Sequence, residues 1–218
     1  MRLEDLLIGT PETTNPPTIQ ESYNETDLEL PEYLITDPQV VGYPDVEMQS
    51  DIYTWVYNGI SPINLNGLPS SIKDYGSGRG DFYGKLIASN QNVNYIGFDF
   101  KETMVLAGQK KYPGIELIYG NYLDSDLQTD YTICIGTLND DHGLDKWDHF
   151  NKTLSRALET TNIAIIFVLS SNFDGLSGYL DYPIAETIEQ IPNGTRYELD
   201  YSKFEDIYKL TIHIGGYN

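Results

Sequence analysis

SIKDYGSGRGDFYGKL, residues 71–86, is the stretch that decides the fold of this chain. Asp74 stands just before three alternating glycines, Gly76, Gly78 and Gly80, between a strand pattern and a helix pattern. Glycine accepts positive φ and has no Cβ, so the backbone can turn sharply and approach a ligand closely. The unpaired amides at the start of the following helix then meet polar or anionic groups. The stretch therefore predicts a nucleotide-type ligand at a strand-to-helix turn.

The glycine spacing alone leaves two interpretations open. The dinucleotide fingerprint is G-x-G-x-x-G, whereas Gly80 comes one position too early for it. An ordinary glycine-rich turn without a ligand would show the same residues. The sequence that follows the turn has to decide between them.

The composition argues against several classes of partner. The 218 residues include 13 Lys and Arg against 33 Asp and Glu, a net charge of −20. Nucleic acid is bound largely through Lys and Arg, so we do not expect a nucleic-acid ligand.

Cys134, the single cysteine, lies in an apolar run, which predicts a buried, inert thiol and excludes a disulfide within the chain. Neither a signal peptide nor a membrane span is predicted, so we expect a cytoplasmic location, or the host cytoplasm or virion if the chain is phage-encoded.

Two regions differ in composition. Residues 1–48 are rich in Pro, Thr, Asn, Glu and Asp, and they predict an extended acidic arm without a core of its own. Residues 49–218 predict one α/β domain, which begins with a helix containing Ile52, Trp55, Val56 and Ile60. The arm would suit a basic protein partner.

Strand and helix patterns alternate through the predicted domain. The predicted strands are 71–74, 94–99, 116–119, 131–136 and 163–169, followed by 196–201 and 208–214. Alternation of this kind predicts a Rossmann-like, doubly wound, mostly parallel sheet of seven strands. The last two strands have only a short connection, so they predict an antiparallel hairpin at the sheet edge.

The acid-x-G-x-G-x-G turn, the alternating units and the closing hairpin together resemble the class I S-adenosylmethionine-dependent methyltransferases, over about residues 71–214. The YxGxD second strand and the GNYLD turn are most similar to small bacterial and phage members. The resemblance implies S-adenosylmethionine as the cofactor. It implies a cofactor-binding set of Asp74, Gly76, Ser77, Gly78, Gly80, Asp99, Phe100, Met104, Asn121, Tyr122, Gly136 and Thr137.

Within that set, the resemblance gives Asp99 the ribose hydroxyls and places Phe100 beside the adenine. A helix N-cap is the alternative role for Asp99, and the two roles are compatible. Asn121 departs from the family pattern, because an aspartate is usual there. An amide can still accept and donate at the adenine edge, and Asp124 is an alternative for that contact. Gly136 and Thr137 would face the sulfonium.

The reacting group is less well defined by the sequence. His142, beside Asp140 and Asp141, is a weak candidate for a general base, and an ordinary exposed loop histidine is the alternative. We expect no metal site. The sequence lacks the Asn-Pro-Pro-Tyr and Pro-Cys motifs of DNA methyltransferases, so a small molecule or a protein side chain is the expected acceptor.

Two other functions remain to be weighed. The charge of −20 and the acidic arm would also suit a non-catalytic assembly or structural protein, virion-associated in a phage, that keeps this fold and binds a partner through the arm. A nicotinamide-dependent oxidoreductase is disfavoured by the glycine spacing and by the terminal hairpin.

Overall fold

The computed structural model describes residues 30–140, 143–172 and 179–215. Their centre is a seven-stranded sheet with the strand order β3-β2-β1-β4-β5-β7-β6. The predicted doubly wound sheet with a C-terminal hairpin is therefore confirmed. The strands are β1 Ser71–Tyr75, β2 Asn94–Asp99, β3 Leu117–Tyr119, β4 Thr129–Ile135, β5 Thr161–Ser170, β6 Arg196–Asp200 and β7 Ile207–His213.

The first five strands are parallel, and the chain order along the sheet reverses between β1 and β4. β7 pairs antiparallel with β5 on one side and with β6 on the other. Ligands of open α/β sheets bind at the carboxyl ends of the strands next to such a reversal. The topology thus directs attention to the residues that follow Tyr75 and Ile135.

Helices cover both faces of the sheet. They are α1 Glu32–Thr36, α2 Val46–Tyr57, α3 Asp81–Ala88, α4 Glu102–Lys111, α5 Lys146–Thr160 and α6 Ile184–Glu189. Carboxylates begin two of them, because Asp45 and Asp145 each accept a backbone N–H three residues later, from Met48 and Asp148, at 2.8 Å. The helix predicted around Ile52 to Ile60 consequently starts earlier, at Val46.

One predicted strand–helix unit is shorter than the pattern suggested. Between β3 and β4 the chain forms only a single 3-10 turn, Tyr122–Asp124, in place of a helix. Residues 120–128 connect the parallel strands β3 and β4, and a connection of this kind needs about a dozen residues or more to include a helix. Ile96 and Phe98 of β2 are nevertheless buried on the face where α5 lies, while Ile118 of the edge strand β3 is 39% exposed.

The core has one part on each face of the sheet. α2, α3 and α4 pack on one face through residues such as Val56, Phe82 and Val105. α5 packs on the other through Phe150 and Leu154, which reach the buried strand β5. Full burial of each such side chain stabilises the fold by about 2 kcal/mol. Cys134 is buried, as predicted, and burial raises the pKa of its thiol to about 12.

A lysine also lies in this core. Lys73 in β1 is fully buried, and its Nζ donates to the Leu127 carbonyl at 2.8 Å and to Thr160 Oγ1 at 2.7 Å. Burial, followed by the charge of Arg156, lowers the pKa of Lys73 to about 8. The hydrogen bonds tie the start of β4 and the end of α5 to β1. The boundary predicted near residue 48 stays a prediction, since the described part of the arm begins at residue 30.

Candidate functional site

The glycine turn joins β1 to α3 in a conformation that side chains would block. Gly76, Gly78 and Gly80 have φ angles of 68°, 55° and 73°. A Cβ on Gly76 would overlap the Thr137 side chain, and one on Gly80 would overlap Ile115. Both the angles and the space therefore require glycine at these positions.

Thr137 closes the turn from the neighbouring strand. Its hydroxyl donates to the Tyr75 carbonyl at 2.9 Å and to the Gly76 carbonyl at 3.2 Å. Gly136, with φ of 74°, makes the bend that brings Thr137 over the end of β1. The predicted residues after β1 and β4 thus form one contiguous edge.

Asp99 completes this edge at the end of β2. One carboxylate oxygen accepts the Gly78 N–H and the other accepts the Lys101 N–H, both at 2.8 Å. Burial raises the pKa of Asp99 and the two amides lower it, while the Asp140 carboxylate adds to the rise. A carboxylate has about four acceptor positions, so each oxygen keeps one for a further donor. The geometry suits a pair of neighbouring hydroxyls.

Asp74 lies on the face of the sheet that carries α2 and α3. It is buried, and its Oδ2 accepts the Tyr95 hydroxyl at 2.6 Å. Burial raises the pKa of Asp74 to about 7, although the Tyr95 hydrogen bond opposes the rise. Asp74 therefore lies in the core beside Tyr95 and is shielded from solvent.

The predicted adenine-side residues separate into exposed and buried ones. Phe100 is 48% exposed directly after Asp99, and the Gly120 N–H donates to the Asp99 carbonyl at 2.9 Å, which brings Asn121 close by. The Asn121 side chain accepts the Leu123 N–H at 3.0 Å and so caps the 3-10 turn. Met104 is buried in α4. A cleft of about 420 Å³ adjoins this region, and its lining includes Phe98, Ile118, Gly120, Asn121 and Asp124.

Tyr122 lies deeper than its neighbours. Its ring stacks on Tyr75 with centroids 4.3 Å apart. Its hydroxyl is hydrogen-bonded to His149 Nε2 at 2.8 Å and to Thr153 Oγ1 at 3.0 Å. Tyr122 therefore supports the 3-10 turn from the α5 side of the sheet.

Sequence reasoning missed the contacts that the glycine turn makes with the N-terminal segment. Arg79, inside the turn, is 1% exposed; its Nε pairs with Asp81 at 2.8 Å and its NH1 donates to the Leu34 carbonyl at 2.9 Å. Val41 lies over Gly78, since its Cγ1 would be 3.1 Å from a Cβ placed there. The only local signal was a basic residue between two glycines, two positions before an acid.

Comparison with solved structures identifies the architecture. The structure is similar to that of a magnesium protoporphyrin IX methyltransferase from Synechocystis PCC 6803 with bound SAH, at a TM-score of 0.60 and 14% identity, over 84% of this chain and 97% of that one. It is also similar to an S-adenosylmethionine-dependent methyltransferase from Clostridium acetobutylicum, at a TM-score of 0.57 and 14% identity, over 83% and 96% of the two chains. The fold is that of the class I methyltransferases.

An O-methyltransferase family protein from Burkholderia thailandensis has the same methyltransferase fold, with a TM-score of 0.56 and 12% identity, over 77% of this chain and 57% of that one. No family model matches the sequence, and no curated protein matches it significantly.

Other predicted features of the methyltransferase fold can be placed only in part. His142 lies outside the described residues, as does its neighbour Asp141. Ser77 lies within the turn, with its hydroxyl buried against Gly97 and without a hydrogen-bond partner among the described residues.

Over residues 30–140, 143–172 and 179–215, no group of acidic, His or Cys side chains is arranged to hold a metal ion. The same ranges contain no helix able to cross a membrane.

Proposed function

We infer that this chain is an S-adenosylmethionine-dependent methyltransferase whose acceptor is a small molecule or a protein side chain. The observation that carries the proposal is the Asp99 carboxylate, held by the amides of Gly78 and Lys101 with one acceptor position left on each oxygen. That arrangement fits the two ribose hydroxyls of the cofactor.

The rest of the edge fits the cofactor as well. The glycine turn from Gly76 to Gly80 would hold its methionine part against bare backbone, and Phe100 and Asn121 would flank its adenine. Bound there, S-adenosylmethionine supplies a methyl group already activated by a positively charged sulfonium. A chain with a charge of −20 favours such a cation over an anionic ligand.

The acceptor would approach between the segments that follow β4 and β5. Asn139 joins these segments, since its carbonyl accepts the Leu180 N–H and its side chain donates to the Leu180 carbonyl, each at 2.7 Å. Asp140 and Tyr179 form an antiparallel bridge beside this contact. These residues would orient the acceptor in line with the methyl group. Magnesium protoporphyrin IX, which names the Synechocystis protein, supports the small-molecule class of acceptor.

Calorimetric titration tests the cofactor site. We expect the wild type to bind both S-adenosylmethionine and S-adenosylhomocysteine, and Asp99→Ala to bind each at least ~10-fold more weakly, because a lost charge-assisted pair costs about 1.5–3 kcal/mol. Asp148→Ala is the matched control, since the Asp148 carboxylate is exposed on α5 and pairs only with Lys152 among the described residues. If the wild type binds neither compound, the chain is not an S-adenosylmethionine-dependent methyltransferase.

Turnover separates the methyltransferase from the assembly-protein alternative. Incubation with labelled S-adenosylmethionine and fractionated cell extract should transfer label to an acceptor with the wild type and not with Asp99→Ala. If the cofactor binds but no label is transferred to any fraction, the chain is a binding protein that keeps the fold without the reaction.

A further inference from the structure

Two stretches at the amino ends of β1 and β2 contain no charged residues. Residues 58–72 and 86–98 contain no Asp, Glu, Lys or Arg, in a chain with 46 such residues out of 218. The fold brings the two stretches together, because Ser71 of β1 is in register with Asn94 of β2 and the Asn94 N–H donates to the Ser70 carbonyl at 2.9 Å. We call this region the uncharged end. It lies at the amino ends of β1 and β2, opposite the glycine turn.

A short hairpin gives the uncharged end an apolar surface. Ile63 and Pro69 form an antiparallel bridge, and the Asn64 N–H donates to the Leu68 carbonyl at 2.8 Å. The hairpin leaves Leu65 and Leu68 77% and 59% exposed. Exposed apolar side chains that are grouped on one short hairpin, as these are, mark interaction surfaces.

A groove of about 340 Å³ separates the hairpin from the turn after α3. Its walls are Pro62, Ile63, Gly67 and Pro69 on one side and residues 90–92 on the other. The hairpin does contact one carboxylate, since Asp130 accepts from the Asn64 side chain at 3.4 Å and from the Ser71 N–H at 2.8 Å. Asp130 is 8% exposed, so it presents little charge to the surface.

We propose that the uncharged end binds a second copy of this chain. Two copies with a charge of −20 repel each other across most of their surfaces, and they approach at lowest electrostatic cost where neither carries a carboxylate. An interface around a two-fold axis uses the same patch on both copies, so the patch has to be complementary to itself. Asn66, Asn90 and Asn92 are exposed there, and amides are self-complementary because each both donates and accepts.

Sedimentation velocity of the full chain tests the proposal. The wild type should form a dimer whose fraction rises with protein concentration between ~10 and ~200 µM and rises again when NaCl increases from ~50 to ~300 mM, because salt screens the remaining repulsion. The double variant Leu65→Asp and Leu68→Asp should dimerise at least ~10-fold more weakly, since it adds two buried carboxylates per subunit at the interface.

Leu144→Asp is the matched control. Leu144 is 56% exposed in the segment before α5, so this variant adds a carboxylate to an exposed apolar position away from the hairpin and should dimerise like the wild type. Unchanged circular dichroism checks that all variants fold. A wild type that stays monomeric at ~200 µM in ~300 mM NaCl overturns the proposal. So does a double variant that dimerises as the wild type does.

Discussion

At the scale of single residues, the buried carboxyl group of Asp74 in β1 makes the free energy of unfolding depend on pH. Its pKa is about 7 in the folded protein and near 3.8 in the unfolded chain. Between these values the folded state binds the proton more tightly, so the free energy of unfolding falls as pH rises and levels off above about 7. Asp74→Asn, whose amide oxygen can still accept the Tyr95 hydroxyl, should lose this fall and be more stable than the wild type at pH 8 by on the order of 4 kcal/mol.

Urea unfolding of both proteins from pH 4.5 to 8 measures the effect. Asp200→Asn is the control, and it should be less stable than the wild type by the same amount at every pH from 4.5 to 8. The reason is that the Ser202 hydroxyl, with help from the Trp55 indole, lowers the pKa of Asp200 to about 2. The stabilisation by Asp200 is lost only as pH falls below about 4. Parallel pH curves for Asp74→Asn and the wild type would show that Asp74 does not titrate in this range.

Gly76 is the glycine of the turn at which an added side chain would clash most severely. Gly76→Ala combines a φ of 68° with overlap against Thr137, so we expect a loss of about 3 kcal/mol or more in unfolding free energy and loss of cofactor binding. Gly114→Ala meets open space at a φ of 90°, and it should cost only about 1–2 kcal/mol. Thermal denaturation and cofactor titration distinguish the two. Equal losses would mean that the contact with Thr137 gives way freely.

At the scale of secondary-structure elements, the buried Arg79 connects the N-terminal segment to the turn. Arg79→Ala removes the donor to Leu34 and one of the two cations that pair with Asp81 at 2.8 Å or less, the other being Lys111. Because breaking a buried pair leaves a poorly compensated charge, we expect a loss of about 3–5 kcal/mol in stability and faster proteolysis within residues 30–45.

Arg196→Ala is the control for this prediction. Arg196 pairs with Glu198 at the surface, where both side chains are largely exposed, so the change should cost less than about 1 kcal/mol. Limited proteolysis followed by mass spectrometry locates the cleavage sites. Cleavage of Arg79→Ala at the wild-type rate within residues 30–45 would mean that the segment is held by its apolar contacts alone.

The periodicity of apolar residues was sufficient to predict all seven strands with ends that lie within two residues of those observed. The glycine turn between β1 and α3 could be predicted too, because it depends on neighbours close in sequence, whereas the role of Asp99 was implied by the resemblance and stays a prediction. α1 and the partner of Arg79 could not be predicted, since Leu34 and Arg79 are 45 positions apart and no local pattern records their contact. The absence of a helix between β3 and β4 depends on the length of the connection, and the periodicity of apolar residues does not measure that length.

At the scale of the whole molecule, the charge of −20 acts on stability as well as on partners. Repulsion among carboxylates favours expanded states, and salt weakens it. Raising NaCl from ~20 to ~300 mM at pH 7.5 should therefore raise the melting temperature by several degrees, as followed by calorimetry. Near pH 4, where many carboxylates lose their charge, the same increase in salt should have little effect. A similar rise at both pH values would point to general salting-out.

The strand order β5-β7-β6 also determines the sequence of events during synthesis. β7 forms seven residue pairs with β5 and five with β6, so β6 emerges from the ribosome before the strand that attaches it to the sheet. Until Ile207–His213 is made, the edge of β5 has no cover, and Leu210 and Ile212 have yet to fill the core beside it. Uncovered strand edges recruit other chains. A nascent chain stalled before Ile207 is therefore the form of this protein most prone to aggregate, and chaperones would have to protect it until translation passes that strand.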